Sequence, residues 1–269
     1  GFMKAAWMPF HSWLPSAMIA PSPVSALLHA VAVVKAGVFG IVRIVGYVIG
    51  MDLMQELGLW LILAGIAGFT MIVASFFAIT QDNLKRRLAY STISQLSYII
   101  LGAALLTRDS MQGAMLHIPF HGYMKITLFL CAGAILVATG KTRISEMAGI
   151  GKRMPLTMLA FSIAAIGMAG IPPVCGFISK LYLCLGAWAV GSPYGMIFLA
   201  VILISSLLDI VYFFPIILTA FFKKPAEDIS VFGEEKMKEA PPLVVVPLTI
   251  TAIFSLIFFI YPNMFYIYD

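Results

Sequence analysis

The sequence predicts an all-α polytopic membrane protein, and three observations predict it. Of 269 residues, 61% are hydrophobic and 11% charged, whereas a soluble domain is about 45–50% apolar and about 25% charged. Apolar runs recur at lengths near the roughly 20 residues a helix needs to cross a bilayer. Short basic loops separate those runs, where membrane topology puts positive charge. A water-soluble fold has no way to hide so much apolar side chain. The net charge of +5 therefore belongs to loop topology, and a nucleic-acid partner is excluded.

The elements follow in order. Residues 1–8 read as the end of a helix, which Pro9 and Pro15 break because a proline ring blocks the helical hydrogen bond. Spans are expected over about 23–49, 57–80, 88–106 and 111–139, the last interrupted at Pro119. The run 156–190 is too long for one straight span and is broken at Gly170-Ile-Pro-Pro173 and Gly176. Such a break is tolerated in a membrane only where it lines protein or a cavity. Spans over about 194–222 and 241–261 complete seven.

Because spans alternate, the loops after 80, 139 and 222 share one side. They hold Lys85, Arg86, Arg87, Lys141, Arg143, Lys152, Arg153, Lys223, Lys224, Lys236 and Lys238, against Arg43 and Arg108 elsewhere. The asymmetry places the basic loops in the cytoplasm and Asp269 on the opposite side of the cell membrane. No secretory signal is visible. The first residue is Gly, inside an apolar element, a pattern expected of a fragment or a split-gene product.

Ionisable residues occur deep inside these runs. Lys35 lies about twelve residues into its span, which at about 1.5 Å per residue puts it near the middle of a core about 30 Å thick. Lys125 lies at similar depth, Lys180 follows the Pro-Pro break, and Asp209 is central in its span. Each such charge costs on the order of 2.5–3.5 kcal/mol by insertion scales. Four of them together cost about 10–14 kcal/mol, comparable with the whole net stability of a domain. That penalty calls for a hydrated path or for paired partners, and Asp209 with one lysine is the ion pair to expect.

His117, His121 and Lys125 are spaced i, i+4, i+8 and form one stripe on a helix. Histidine exchanges protons near neutral pH and a desolvated lysine exchanges them more readily than a free one, so the stripe fits a proton wire. A polar seam between packed helices is the plainer alternative. His29 and Lys35, six residues apart, point to different faces. Ser91, Ser94 and Gln95 are near neighbours on one span and either hydrate a path or glue helices. His11 sits in a loop and reads as structural.

Redox and nucleotide motifs are missing. Cys131, Cys175 and Cys184 have no metal-ligand spacing. Gly149-Ile-Gly151-Lys152 lacks the spacing of a phosphate loop. No cofactor and no metal are expected.

Six segments in sequence order carry a family resemblance. They are Lys4-Ala-Ala-Trp-Met-Pro-Phe-His-Ser-Trp-Leu-Pro15, Ala20-Pro-Ser-Pro-Val-Ser-Ala-Leu-Leu-His29 and Val34-Lys35-Ala-Gly-Val38, followed by Asp82-Asn-Leu-Lys-Arg-Arg-Leu-Ala-Tyr-Ser-Thr-Ile-Ser-Gln95, His117-Ile-Pro-Phe-His121-Gly-Tyr-Met-Lys125 and Gly170-Ile-Pro-Pro-Val-Cys-Gly-Phe-Ile-Ser-Lys180. The chain resembles the antiporter-like subunits of respiratory complex I, of multisubunit Na+/H+ antiporters and of membrane-bound hydrogenases. The resemblance implies the C-terminal half of a fourteen-helix fold with inverted five-helix repeats, each holding a broken helix. Residues 1–50 would end the first repeat, 51–222 would form the second, and 223–269 would supply a cytoplasmic loop and the last span.

The resemblance also assigns roles. Lys4 matches a lysine on the first broken helix, and Lys35 one on the next helix. His117, His121 and Lys125 match the central relay, and Lys180 the terminal lysine. No family counterpart is assigned to Asp209. The glutamate that pairs with the Lys4 position, and the long lateral helix of one complex I subunit, lie outside this sequence, which favours a shorter member of the antiporter and hydrogenase branch. The expected function is H+ or Na+ translocation through Lys4, His29, Lys35, His117, His121, Lys125, Lys180 and Asp209. Other membrane subunits, with redox or hydrogenase-like modules, are the expected partners. A stand-alone secondary transporter and a structural scaffold are the alternatives.

Overall fold

The computed structural model describes residues 3–223 and 239–265. Eight helices carry the architecture: α1 (Val33–Arg43), α2 (Leu59–Thr80), α3 (Leu84–Ala104), α4 (Arg108–Thr139), α5 (Pro155–Ala169), α6 (Gly176–Ala189), α7 (Pro193–Phe222) and α8 (Pro242–Ile260). No β-strand occurs among the described residues. Helices α2, α4, α7 and α8 are long and apolar enough to cross a membrane. Helix α3 is 21 residues long but carries Lys85, Arg86, Arg87 and several serines. α5 and α6, of 15 and 14 residues, are the halves of the broken span.

Polarity runs opposite to that of a soluble fold. Ile62, Phe69, Leu203, Leu207, Leu243 and Ile253 are exposed on the outer helix faces. Lys125, His117, His121, Gln95 and Asp209 are sealed inside. In lipid the apolar side chain needs no burial and the polar one does. The chain is thus a multi-pass membrane protein with a polar interior.

Helix α4 is the hub, packed against α3, α5, α6 and α8, while α7 covers α2, α5 and α6. Glycines allow the closest approaches. A Cβ on Gly113 would sit 2.8 Å from the Leu183 backbone nitrogen on α6. Pro119 lies inside α4 without ending it. A missing N–H is tolerated where neighbouring helices resatisfy the backbone.

Boundaries differ from expectation where caps decide them. α3 starts at Leu84 rather than near 88, because the Asn83 side chain accepts from Arg86 N at 3.1 Å. The basic triplet therefore occupies the first turn of a helix rather than a loop. α4 starts at Arg108 behind a Thr107–Ser110 capping box. Residues 3–6 form turns where the end of a helix is expected. Ala6 has a positive φ there, a conformation that no α-helix accommodates.

The expected basic loops do meet on one face. Leu84 N donates to Thr142 O at 3.0 Å, Ile144 N to Asp82 O at 2.8 Å, and Gly149 N to Thr219 O at 3.3 Å. The Glu239 carboxylate accepts from Leu156 N and Thr157 Oγ1, both at 2.7 Å, and caps the start of α5. Lys224, Lys236, Lys238 and Asp269 lie outside the described residues.

Arg87 locks this face. Its guanidinium donates to Gln81 O at 2.9 Å and Ile79 O at 3.3 Å, serving open carbonyls at the end of α2, and to Tyr212 O of α7 at 3.0 Å. Lysine keeps the charge but not the planar fork. Arg87→Lys is expected to lower stability by about 1–3 kcal/mol, since buried carbonyls lose their donors. Thermal unfolding in detergent checks it, and an unchanged midpoint would contradict the role.

Candidate functional site

The break between α5 and α6 positions Lys180. Gly170 closes α5 with φ +80°, and the last carbonyls of α5 lack helical partners. Lys180, one turn into α6, returns to that open end and donates to Met168 O at 2.7 Å. A Cβ on Gly170 would lie 2.7 Å from Lys180 Cδ, so the glycine makes room for the lysine stem. α8 steadies the break, because Cys175 N donates to Ser255 O at 3.0 Å.

Lys180 then pairs with Asp209 of α7. Its Nζ lies 2.6 Å from Asp209 Oδ2, and the two side chains are 6% and 0% exposed. Nζ also donates to Ser206 Oγ at 3.2 Å and sits 4.6 Å from the Tyr98 ring centroid. Asp209 takes two further hydrogen bonds, from Gln95 Nε2 to Oδ2 at 2.7 Å and from the Tyr212 hydroxyl to Oδ1. The carboxylate is thus the convergence point of α3, α6 and α7.

The stripe on α4 stays together as rings but not as one hydrogen-bonded row. His117 and His121 stack with centroids 5.8 Å apart, and His117 stacks on Tyr98 at the same distance. His117 Nε2 meets Gln95 Oε1 at 3.0 Å and Nδ1 meets Ser179 Oγ at 2.9 Å. Because Gln95 gives its NH2 to Asp209, its oxygen faces His117, and His117 Nε2 must carry a proton. The Ser179 hydroxyl can point to His117 Nδ1 or to Gly176 O, 3.1 Å away. A neutral His117 accepts that hydroxyl, and a doubly protonated His117 turns it to Gly176.

His121 faces the other way. Its Nδ1 lies 2.6 Å from Lys35 Nζ, which also donates to Ile118 O at 2.6 Å. His121 Nε2 is buried and makes no hydrogen bond among the described residues. Lys125 is fully buried and donates to Leu88 O at 3.0 Å and to Ser91 Oγ at 2.8 Å, with the Phe213 ring 5.6 Å away. Tyr212 closes the circuit, its hydroxyl 2.9 Å from Ser91 Oγ.

Six of the eight sequence-derived residues therefore gather in one buried cluster: Lys35, His117, His121, Lys125, Lys180 and Asp209. Lys4 does not join it and is exposed. His29 lies on the π-helical stretch Ala26–Ala32, and its side chain is outside the described residues. His11 stacks against Phe77, away from the cluster. Tyr98, Ser179, Ser206 and Tyr212 are partners that sequence reading did not single out. Tyr212 stands three residues after Asp209, on the same helix face, and that spacing was the available signal. No group of three or more His, Cys, Asp or Glu suited to a metal ion occurs among the described residues.

Known proteins share both the sequence and the shape. Residues 1–209 match the family described as "NADH:quinone oxidoreductase/Mrp antiporter, TM". Subunit N of the NADH-quinone oxidoreductase of Desulforudis audaxviator is 41% identical over 227 residues, 82% of this chain and 43% of that protein. A chain of the membrane-bound sulfane sulfur reductase, an archaeal respiratory membrane complex, superposes with a TM-score of 0.82 at 30% identity, covering 96% of this chain and 50% of that one. A chain of the Mrp complex from Dietzia sp. DQ12-45-1b gives 0.85 at 24% identity, over 97% of this chain and 55% of that one. The chain spans half or less of the first two. On sequence, fold and motif order, it belongs to the NADH:quinone oxidoreductase/Mrp antiporter transmembrane family.

Proposed function

We propose that the chain is an ion-translocating, antiporter-like membrane subunit of a multisubunit complex, and that it moves protons through the buried cluster. The observation that carries this reading is the cluster itself. Three lysines, two histidines and one aspartate lie at most 8% exposed inside an apolar helix bundle. Their insertion penalty is of the order of a domain's whole stability, and an interior built only for packing has no use for it. Protons fit this site better than Na+. A sodium ion needs several oxygen ligands, and Asp209 already accepts from three donors amid three amines.

The relatives supply the setting. They are parts of respiratory or antiporter assemblies, so the partners proposed here are other membrane subunits, with a redox or gradient-coupled module supplying the energy. Residues 51–222 act as one translocating repeat, with 1–50 contributed by the repeat before it and 223–269 holding the following loop and last span. The basic face lies in the cytoplasm.

The test is proton flux. The complex is purified through a tag on this chain, sealed in liposomes, and read with a trapped pH dye after an imposed ion gradient. Lys125→Ala is expected to cut flux at least about tenfold, the scale of losing a positioned proton carrier. Unchanged flux in a fully assembled complex would leave the cluster as structural glue.

A further inference from the structure

Besides the direct Lys180 contact, two routes lead from α4 to Asp209, and only one of them is made of groups that pass protons. The first runs from His117 through the Gln95 side chain, at 3.0 and 2.7 Å. A primary amide holds two N–H donors on one atom and an acceptor on another. Handing a proton across it requires the imidic acid form, so Gln95 orients its neighbours rather than conducts. The second route runs from Lys125 through Ser91 and Tyr212, at 2.8 and 2.9 Å, and then to Asp209 Oδ1. Every link in it is an amine or a hydroxyl.

The donor pattern of this second route turns on the single phenolic proton of Tyr212, which has two acceptors in reach, Ser91 Oγ at 2.9 Å and Asp209 Oδ1. The lysine ammonium only donates and the carboxylate only accepts. With the phenolic proton turned to the charged Asp209, the Tyr212 oxygen is open to the Ser91 hydroxyl, which accepts from Lys125. In that arrangement all three hydrogens point one way, toward Asp209.

We infer that Ser91 and Tyr212 form a proton branch that lets Lys125 protonate Asp209, and that this protonation unlatches Lys180. The inference rests on the proton-translocating reading of the cluster. One concerted shift moves the Lys125 proton to Ser91, the Ser91 proton to Tyr212, and the Tyr212 proton to Asp209. Three O–H or N–H bonds break and three form. The start is an ammonium and a carboxylate, the end is a neutral amine and a carboxylic acid, and both hydroxyls are regenerated. The acid no longer holds Lys180 by charge. Lys180 is left with neutral acceptors, Asp209 Oδ2, Met168 O and Ser206 Oγ at 2.6, 2.7 and 3.2 Å, and with the Tyr98 ring, and without a counter-charge it is freed to release its own proton. Asp209 is thereby the switch between the central and the terminal lysine, and Ser91 and Tyr212 are positioning and relay groups for it.

The experiment uses the reconstituted complex and the same flux assay, normalised to assembled complex, with Lys125→Ala and Lys180→Ala as benchmarks. Tyr212→Phe keeps the ring packed against Phe213, 4.7 Å away between centroids, and removes only the hydroxyl. Tyr212→Phe and Ser91→Ala are each expected to lower flux at least about tenfold. Both breaks lie in one series path, so the double variant is expected to be no slower than the slower single one. Packing defects would instead multiply. Infrared difference spectra give a second readout. A protonated-carboxyl band that follows turnover is expected in the wild type and is expected to vanish in Asp209→Asn. If the benchmarks lose flux while Tyr212→Phe and Ser91→Ala keep it, the branch is overturned and the relay reading stands. If the benchmarks also keep flux, both fall. Multiplying losses in the double variant, or a carboxyl band that survives Asp209→Asn, would also overturn the branch.

Discussion

Asp209→Asn is expected to destabilise the folded chain by about 3–5 kcal/mol, the scale measured when one member of a buried ion pair is removed. The size follows from what is left behind. Lys180 Nζ loses its only ion-pair partner among the described residues while its side chain stays 6% exposed. The remaining acceptors are one carbonyl and one hydroxyl. Adding Lys180→Met should recover more than half of the loss, because replacing both charges of a buried pair is often close to neutral. Lys180→Met alone should cost less than Asp209→Asn alone, since Gln95 and Tyr212 still donate to the carboxylate. A double-mutant cycle on detergent-solubilised complex, read by thermal unfolding, tests all three statements. Strict additivity would show that the pair is not what the aspartate is kept for. The coupling should also persist at high salt, because a sealed pair is poorly screened.

Gly176→Ala is expected to be as damaging for a different reason. A Cβ there would overlap the Gly167 carbonyl oxygen, lie 2.8 Å from its carbon and come within 3.1 Å of Met124 Cε. The first two atoms are backbone and have no rotamer to escape into. Forcing the halves of the broken helix apart costs about 3 kcal/mol or more, at the upper end of overpacking. It also displaces Lys180 from the end of α5. Gly65→Ala is the control, because nothing lies within 4 Å of its added methyl group. It should be neutral or stabilising by up to about 1 kcal/mol. Equal unfolding midpoints for the two variants would refute the close-approach argument.

Of the seven expected spans, the four that became α2, α4, α7 and α8 were legible because length and hydropathy fix them whatever they pack against. The break at Gly170–Gly176 and the stripe of His117, His121 and Lys125 were legible as well, from proline chemistry and helical spacing. The start of α3 was missed because the capping strength of Asn83 outweighs the charge of Lys85, Arg86 and Arg87. Partner choice was not legible at all. Helical spacing makes the three α4 residues look like one row, whereas their partners come from α1, α3 and α6, which only tertiary packing brings near. Lys35, assigned by resemblance to the preceding repeat, meets His121 for the same reason. Ser179 and Ser206 carry no signal in sequence, since a serine in an apolar helix usually bonds its own backbone.

That divergence of partners has a mechanical consequence. His117, His121 and Lys125 ride on one rigid helix, yet each engages a different neighbour, Ser179, Lys35 and Ser91 respectively. None of these contacts can be re-aimed by rotating α4 without disturbing the other two. The helix works as a camshaft whose three lobes are keyed to a single angle, so any motion that reaches it is felt at all three stations in step.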